Sequence, residues 1–144
     1  MNPGRDFIGV GVVYYCHDGK GNVLMNLRGV NCKDENGRWD IGGGSVEFGE
    51  SLEETLVREI KEEYGANIIS KEFLGFREVI KKEKGAERHW VAFDYLVRIE
   101  PAEARNAEPH KFDDVRWFQH DQLPEPLHSE MPVFMAKYAD KLPK

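Results

Sequence analysis

Residues 43–66 constrain this chain most, because a glycine run there opens directly into a helix whose apolar face contains acids. Ser51 followed by Glu54 has the form of a capping box, and Gly65 stands where a left-handed C-terminal cap belongs. Between them Leu52, Leu56, Val57, Ile60 and Tyr64 supply the apolar residues. At about 100° per residue from Leu52, these fill an arc of roughly 140° ending near Val57. Glu63 projects at roughly 20°, inside that arc, while Glu59 at about −20° and Glu62 at about −80° lie on its edge. Carboxylates at a buried boundary pay desolvation and repel one another unless cations neutralise them. Hard divalent ions, Mg²⁺ above all, are the natural neutralisers. A solvated acidic helix face is the competing reading.

A chain of 144 residues suits one domain with a substantial core, so a single domain over 1–144 is expected. Its 40% hydrophobic and 32% charged content is that of a soluble globular protein. No apolar run approaches a membrane span, and the N-terminus lacks the apolar core of a signal peptide. Cys16 and Cys32 have no metal-like spacing and read as free thiols of a cytoplasmic protein. The net charge of −6 argues against sequence-independent binding to a nucleic-acid backbone, but not against a small phosphorylated substrate. The sequence leaves room for a homodimer.

In chain order, residues 7–16 read as a strand with Gly9 and Gly11 on one packed face. A hairpin turn at 17–22 leads to a returning strand at 23–27 that ends at Arg28. Trp39, Asp40 and Ile41 form a short strand that delivers the glycine loop at 42–44. Residues 68–82 hold two strand-like runs broken at Gly75, and 89–100 alternates clearly. In that strand Val91, Phe93, Tyr95, Val97 and Ile99 take one side, and Trp90, Ala92, Asp94, Leu96 and Arg98 the other. A helical turn at 102–107, a strand at 115–118 and a helix at 131–142 started by Pro132 complete the chain. The order strands, helix, strands, helix predicts an α+β fold, an α/β/α sandwich on a mixed β-sheet.

Glycines at 42–44 let a backbone approach a metal or phosphate closely, and a helix N-terminus behind them suits anions. Arg58 has two readings on spacing alone, an exposed helical pair with Glu62 or a bidentate clamp on Glu50. Gly44, Glu50, Arg58-Glu59-Ile60, Glu62-Glu63 and Gly65 together resemble the Nudix box at every charged and glycine position. Ala66 departs from the usual aliphatic residue, and Gly42 stands where proline is common. The likeness to a compact MutT-type Nudix domain extends over nearly the whole chain.

The resemblance implies an α/β/α sandwich and Mg²⁺-dependent hydrolysis, with Mn²⁺ as alternative ion, of a nucleoside diphosphate linked to another group. It implies Glu59, Glu62 and Glu63 as catalytic metal ligands, with the Gly43 carbonyl beside them. Glu59 would also orient or deprotonate the attacking water, and Arg58 with Glu50 would be the structural pair. On substrate, compact size and the Phe48-Gly49-Glu50 loop look like nucleoside triphosphate pyrophosphohydrolases, which release a monophosphate and pyrophosphate. ADP-ribose, dinucleotide or nucleotide-sugar cleavage are the alternatives, with a non-catalytic nucleotide sensor behind them. Arg28 matches a phosphate-contacting position, with a lone surface arginine as the competing reading, and Trp39 and Phe48 are candidate base-stacking partners, with core or rim packing as theirs.

Overall fold

Two apolar sets point to opposite faces of one sheet, and one helix covers each. The computed structural model describes residues 1–143. Its strands are β1 (Gly9–His17), β2 (Asn22–Arg28), β3 (Trp39–Asp40), β4 (Gly42–Ser45), β5 (Ile68–Lys81), β6 (Arg88–Ile99) and β7 (Phe112–Gln119). Helix α1 (Leu52–Tyr64) follows β4, and α2 (Met131–Lys137) follows β7. The seven strands form one sheet in the order β3-β2-β1-β6-β5, with β4 pairing β1 and β7 pairing β2. The β1–β6 pair is parallel and the other pairs are antiparallel, so the sheet is mixed as expected.

Alternation along β1 divides the core. Val12, Tyr14 and Cys16 pack with Tyr95, Val97 and Ile99 of β6 under Leu56, Ile60 and Tyr64 of α1. Tyr15 takes the other face with Val23, Met25 and Leu74, under Met131, Phe134 and Tyr138. On that second face Arg77 of β5 donates to both oxygens of the fully buried Asp94 at 2.7 and 2.9 Å, and the Tyr138 hydroxyl donates to Asp94 at 2.6 Å. This ties the C-terminal helix to the sheet by a satisfied polar network rather than by apolar contact alone.

Four local elements differ from what the pattern predicts. Gly42–Ser45 is a strand, β4, paired antiparallel with Gly11–Tyr14 of β1, rather than a loop. Residues 68–81 form one strand, because Gly75 is absorbed in a register shift between Phe73 and Gly75 instead of ending the pairing. Residues 102–107 make turns without a helix, and α2 stops at Lys137, with turns continuing beyond it.

Helix α1 is terminated as its sequence predicts. The Ser51 hydroxyl accepts from the Glu54 N–H at 3.1 Å, and the Glu54 carboxylate accepts from the Ser51 N–H at 3.1 Å. Gly65 closes the other end at φ 68°, donating its N–H to Lys61 at 3.0 Å. Because this helix carries the acids, its caps position them. Replacing Ser51 with alanine is expected to lower unfolding stability by about 1 kcal/mol in urea titration. A change below a few tenths would show that the cap is dispensable.

Candidate active site

The face that α1 buries is rotated toward its acids. Thr55, Leu56, Glu59, Ile60, Glu63 and Tyr64 are buried, while Val57, at the far edge of the apolar arc, is 55% exposed. Leu56, Ile60 and Tyr64 are wholly inaccessible. Each apolar side chain so placed stabilises the fold by about 1.5–3 kcal/mol, which offsets the cost of taking two carboxylates down with them. Glu63 is 1% exposed and Glu59 9%. Glu62 departs from the expected boundary position. Its side chain is half exposed and turns to Arg58 at 3.3 Å.

Strand β4 lies against these acids. A Cβ on Gly44 would fall 2.1 Å from the Glu59 carboxyl carbon, so only glycine admits this approach of backbone to carboxylate. The paired strand β1 brings Tyr14 to the same place, and its hydroxyl donates to Glu63 Oε1. Lys111, just before β7, donates to Glu63 Oε2 at 2.9 Å. Burial nevertheless dominates and lifts the Glu63 carboxyl to about 7, against the opposing pull of Lys111 and the Tyr14 hydroxyl. Burial likewise raises Glu59, with Arg58 opposing.

Arg58 satisfies both readings of its spacing. It donates to Glu50 through Nε at 2.7 Å and Nη2 at 2.8 Å, and through Nη2 to the Ser45 carbonyl at 3.1 Å. Its Nη1 reaches Glu59 at 2.7 Å as well as Glu62. Hydrogen bonds from Arg58 and then Thr55 hold the Glu50 carboxyl down at about 2. One guanidinium therefore fastens the β4–α1 connection to the helix and orients Glu59.

These groups edge a cavity of about 850 Å³ on the α2 side of the sheet, lined by Gly43, Gly44, Glu59 and Lys111. Arg5, Arg28, Lys33, Lys81 and Arg88 add cationic walls, and Trp90 and Phe134 add aromatic ones. Arg28 thus reaches the cavity, held by Asp34 at 3.0 Å and near Asp40 at 3.9 Å. Trp39 does not. It is buried in the second core, edge-on to Phe118 at 5.0 Å. Phe48 does not either, and stands fully in solvent on the turn before α1. Neither is placed to stack on a ligand in this cavity.

Sequence reasoning passed over Lys111, Tyr14, Asp40 and Trp90. Tyr14 and Trp90 read as ordinary strand residues, and Asp40 as part of the approach to the glycines. Lys111 carried one usable signal, a cation in the loop that leads into the last strand.

Among the described residues, no three Asp, Glu, His or Cys side chains stand together as a ready cation cage. Each acid is instead satisfied by Arg58, Lys111 or Tyr14. The donor chemistry still fits a hard divalent ion. The Glu59 carboxylate lies against Gly44 of β4 and the buried Glu63 carboxylate lies one helical turn further on, so the nearest donors are oxygens.

Comparison with known proteins agrees with this geometry. A family model of the NUDIX domain matches residues 7–138. The "Oxidized purine nucleoside triphosphate hydrolase" of Mus musculus is 33% identical over 96 residues, covering 61% of this chain and 53% of the mouse protein. The chain therefore spans about half the length of that curated relative. The crystal structure of a MutT NUDIX hydrolase from Burkholderia pseudomallei superposes with a TM-score of 0.81 at 30% identity, covering 92% of this chain and 98% of that one. A MutT protein structure from Methanosarcina mazei, 21% identical, shares the fold with a TM-score of 0.75 over 95% of this chain and 96% of its own.

The raised Glu63 carboxyl has a consequence for stability. The folded protein keeps its proton up to about pH 7, whereas an unfolded glutamate releases it near 4.5. Between those values the native state binds more protons, so Glu63 makes the metal-free protein lose stability as pH rises through that window, by roughly 3 kcal/mol in all. In Glu63→Gln this slope should flatten in denaturation measured from pH 4.5 to 8. An unchanged slope would show that another group titrates there.

Proposed function

The chain belongs to the NUDIX family, and on that premise we propose that it cleaves a nucleoside triphosphate to the monophosphate and pyrophosphate with the aid of Mg²⁺. The observation that carries this reading is the buried Glu59 and Glu63 pair behind Gly44, beside a cation-lined cavity. The volume of about 850 Å³ is within the range of small-molecule and cofactor sites. A mouse relative is named for hydrolysis of oxidized purine nucleoside triphosphates, which supports the choice of substrate class. Both cysteines are buried free thiols, in keeping with a cytoplasmic protein.

Glu59 and Glu63 would hold the divalent ion, with Glu62 swinging in from Arg58 and the Gly43 carbonyl as a backbone donor. When bound, the ion neutralises pyrophosphate oxygens and makes water a better nucleophile at neutral pH. The chain's own groups do the remaining work. Arg58, locked on Glu50, sets the orientation of Glu59, whose carboxylate receives or directs the proton of the attacking water. Arg28 on the cavity wall holds the phosphates and fixes their direction.

Purified protein with Mg²⁺ should release pyrophosphate from one or more members of a nucleoside triphosphate panel. Glu59→Gln should lower kcat/KM about 10²–10⁴-fold while circular dichroism shows the fold retained. Turnover confined to ADP-ribose, dinucleotides or nucleotide sugars would move the substrate assignment. Tight nucleotide binding with no turnover anywhere in the panel would make the domain a sensor.

A further inference from the structure

Among the described residues, Lys111 is the one cation that reaches the carboxylate of Glu63, and its side chain lines the cavity. Its backbone is pinned. The carbonyl accepts from the Gly29 N–H at 3.0 Å and from Cys32 Sγ at 3.3 Å, and its N–H donates to Glu108 at 2.9 Å. Its side chain is a third exposed and lines the cavity, while the Glu63 side chain is only 2% exposed. The two carboxylate oxygens are divided, Oε1 to the Tyr14 hydroxyl and Oε2 to the Lys111 ammonium. Oε2 is thus held by an ammonium that itself stands on the cavity wall, while Glu63 lies behind it.

Arg58 differs in kind. Its bonds to Glu50 and the Ser45 carbonyl hold it whether or not Glu59 turns away. Among the described residues Lys111 has no second hydrogen-bonded anchor of that sort; beyond Glu63 its ammonium lies over the Phe112 ring, 5.1 Å from the centroid. Its flexible stem lets the head withdraw into the cavity. A buried carboxylate left unpaired is strongly destabilising, so once Glu63 has given up its proton some cation must stay with it while the site is unloaded. A dication and an ammonium cannot share one buried oxygen, because like charges a few ångström apart in a poorly screened site repel strongly.

We propose that Lys111 is a resident counter-cation of Glu63 that a divalent ion must displace, so that this lysine sets the metal affinity of the site. It is a positioning residue, stabilising the unloaded protein and opposing loading. This rests on the reading of Glu63 as a metal ligand, and the test separates the two.

Mn²⁺ binding is followed by the electron paramagnetic resonance of free Mn²⁺ at pH 8, for the wild type and for K111M, K111R and K33M. K111M should bind Mn²⁺ about tenfold more tightly, yet melt at a lower temperature than the wild type without metal. K111R keeps the cation and should bind no more tightly than the wild type. K33M removes an exposed charge from the same cavity without touching Glu63, and its affinity should stay within about twofold. Should K111M lose its fold, K111Q retains a neutral hydrogen bond to Oε2 and should show the same gain. Equal or weaker binding by K111M or K111Q, or an equal gain in K33M, overturns the role of Lys111. Failure of the wild type and all variants to bind Mn²⁺ overturns the metal reading itself, and the inference with it.

Discussion

Two carboxylates buried on one face of a helix are the constraint around which the rest of this structure is arranged. Unpaired, each would cost several kcal/mol, a large part of the stability of a domain this size. The fold answers with cations and donors drawn from distant parts of the chain. Arg58 comes from α1 itself, Tyr14 from β1 and Lys111 from the approach to β7. Apolar burial of Leu56, Ile60 and Tyr64 under the same helix supplies the free energy that lets the acids stay down.

Strand β1 makes this arrangement possible. It pairs with β6 in parallel along one edge and with β4 along the other. Its tyrosine reaches Glu63 on one face, while on the opposite face the cavity opens beside Gly11 and Val13. The same strand thus joins the acidic end of the site to the wall on which a ligand would rest. Gly44 is the point of closest approach, where a side chain would displace the Glu59 carboxylate.

Much of this was legible in the sequence, and the parts that were not have physical reasons. Helical arithmetic placed Glu63 inside the apolar arc, and it is buried. The same arithmetic kept Val57 in the arc and Glu62 at its border, because a wheel does not say where the sheet beneath the helix ends. The caps at Ser51 and Gly65 were readable because capping is local. Strand β4 was not, since three consecutive glycines carry no side-chain alternation and owe their extended form to pairing with β1. Trp39 looked like a ligand-stacking residue but is held in the core by Phe118. Lys111 lies 48 residues from Glu63, and no short-range pattern announces such a pair.

The central claim is that Glu59 and Glu63 form a cation site against the glycines of β4. Anomalous diffraction from crystals soaked in Mn²⁺ tests it most directly. The account predicts a peak between the Glu59 and Glu63 carboxylates and the Gly43 carbonyl, with the Lys111 ammonium withdrawn from Glu63. A peak elsewhere, or Lys111 still bonded to Glu63 in a protein that has bound Mn²⁺, would contradict it.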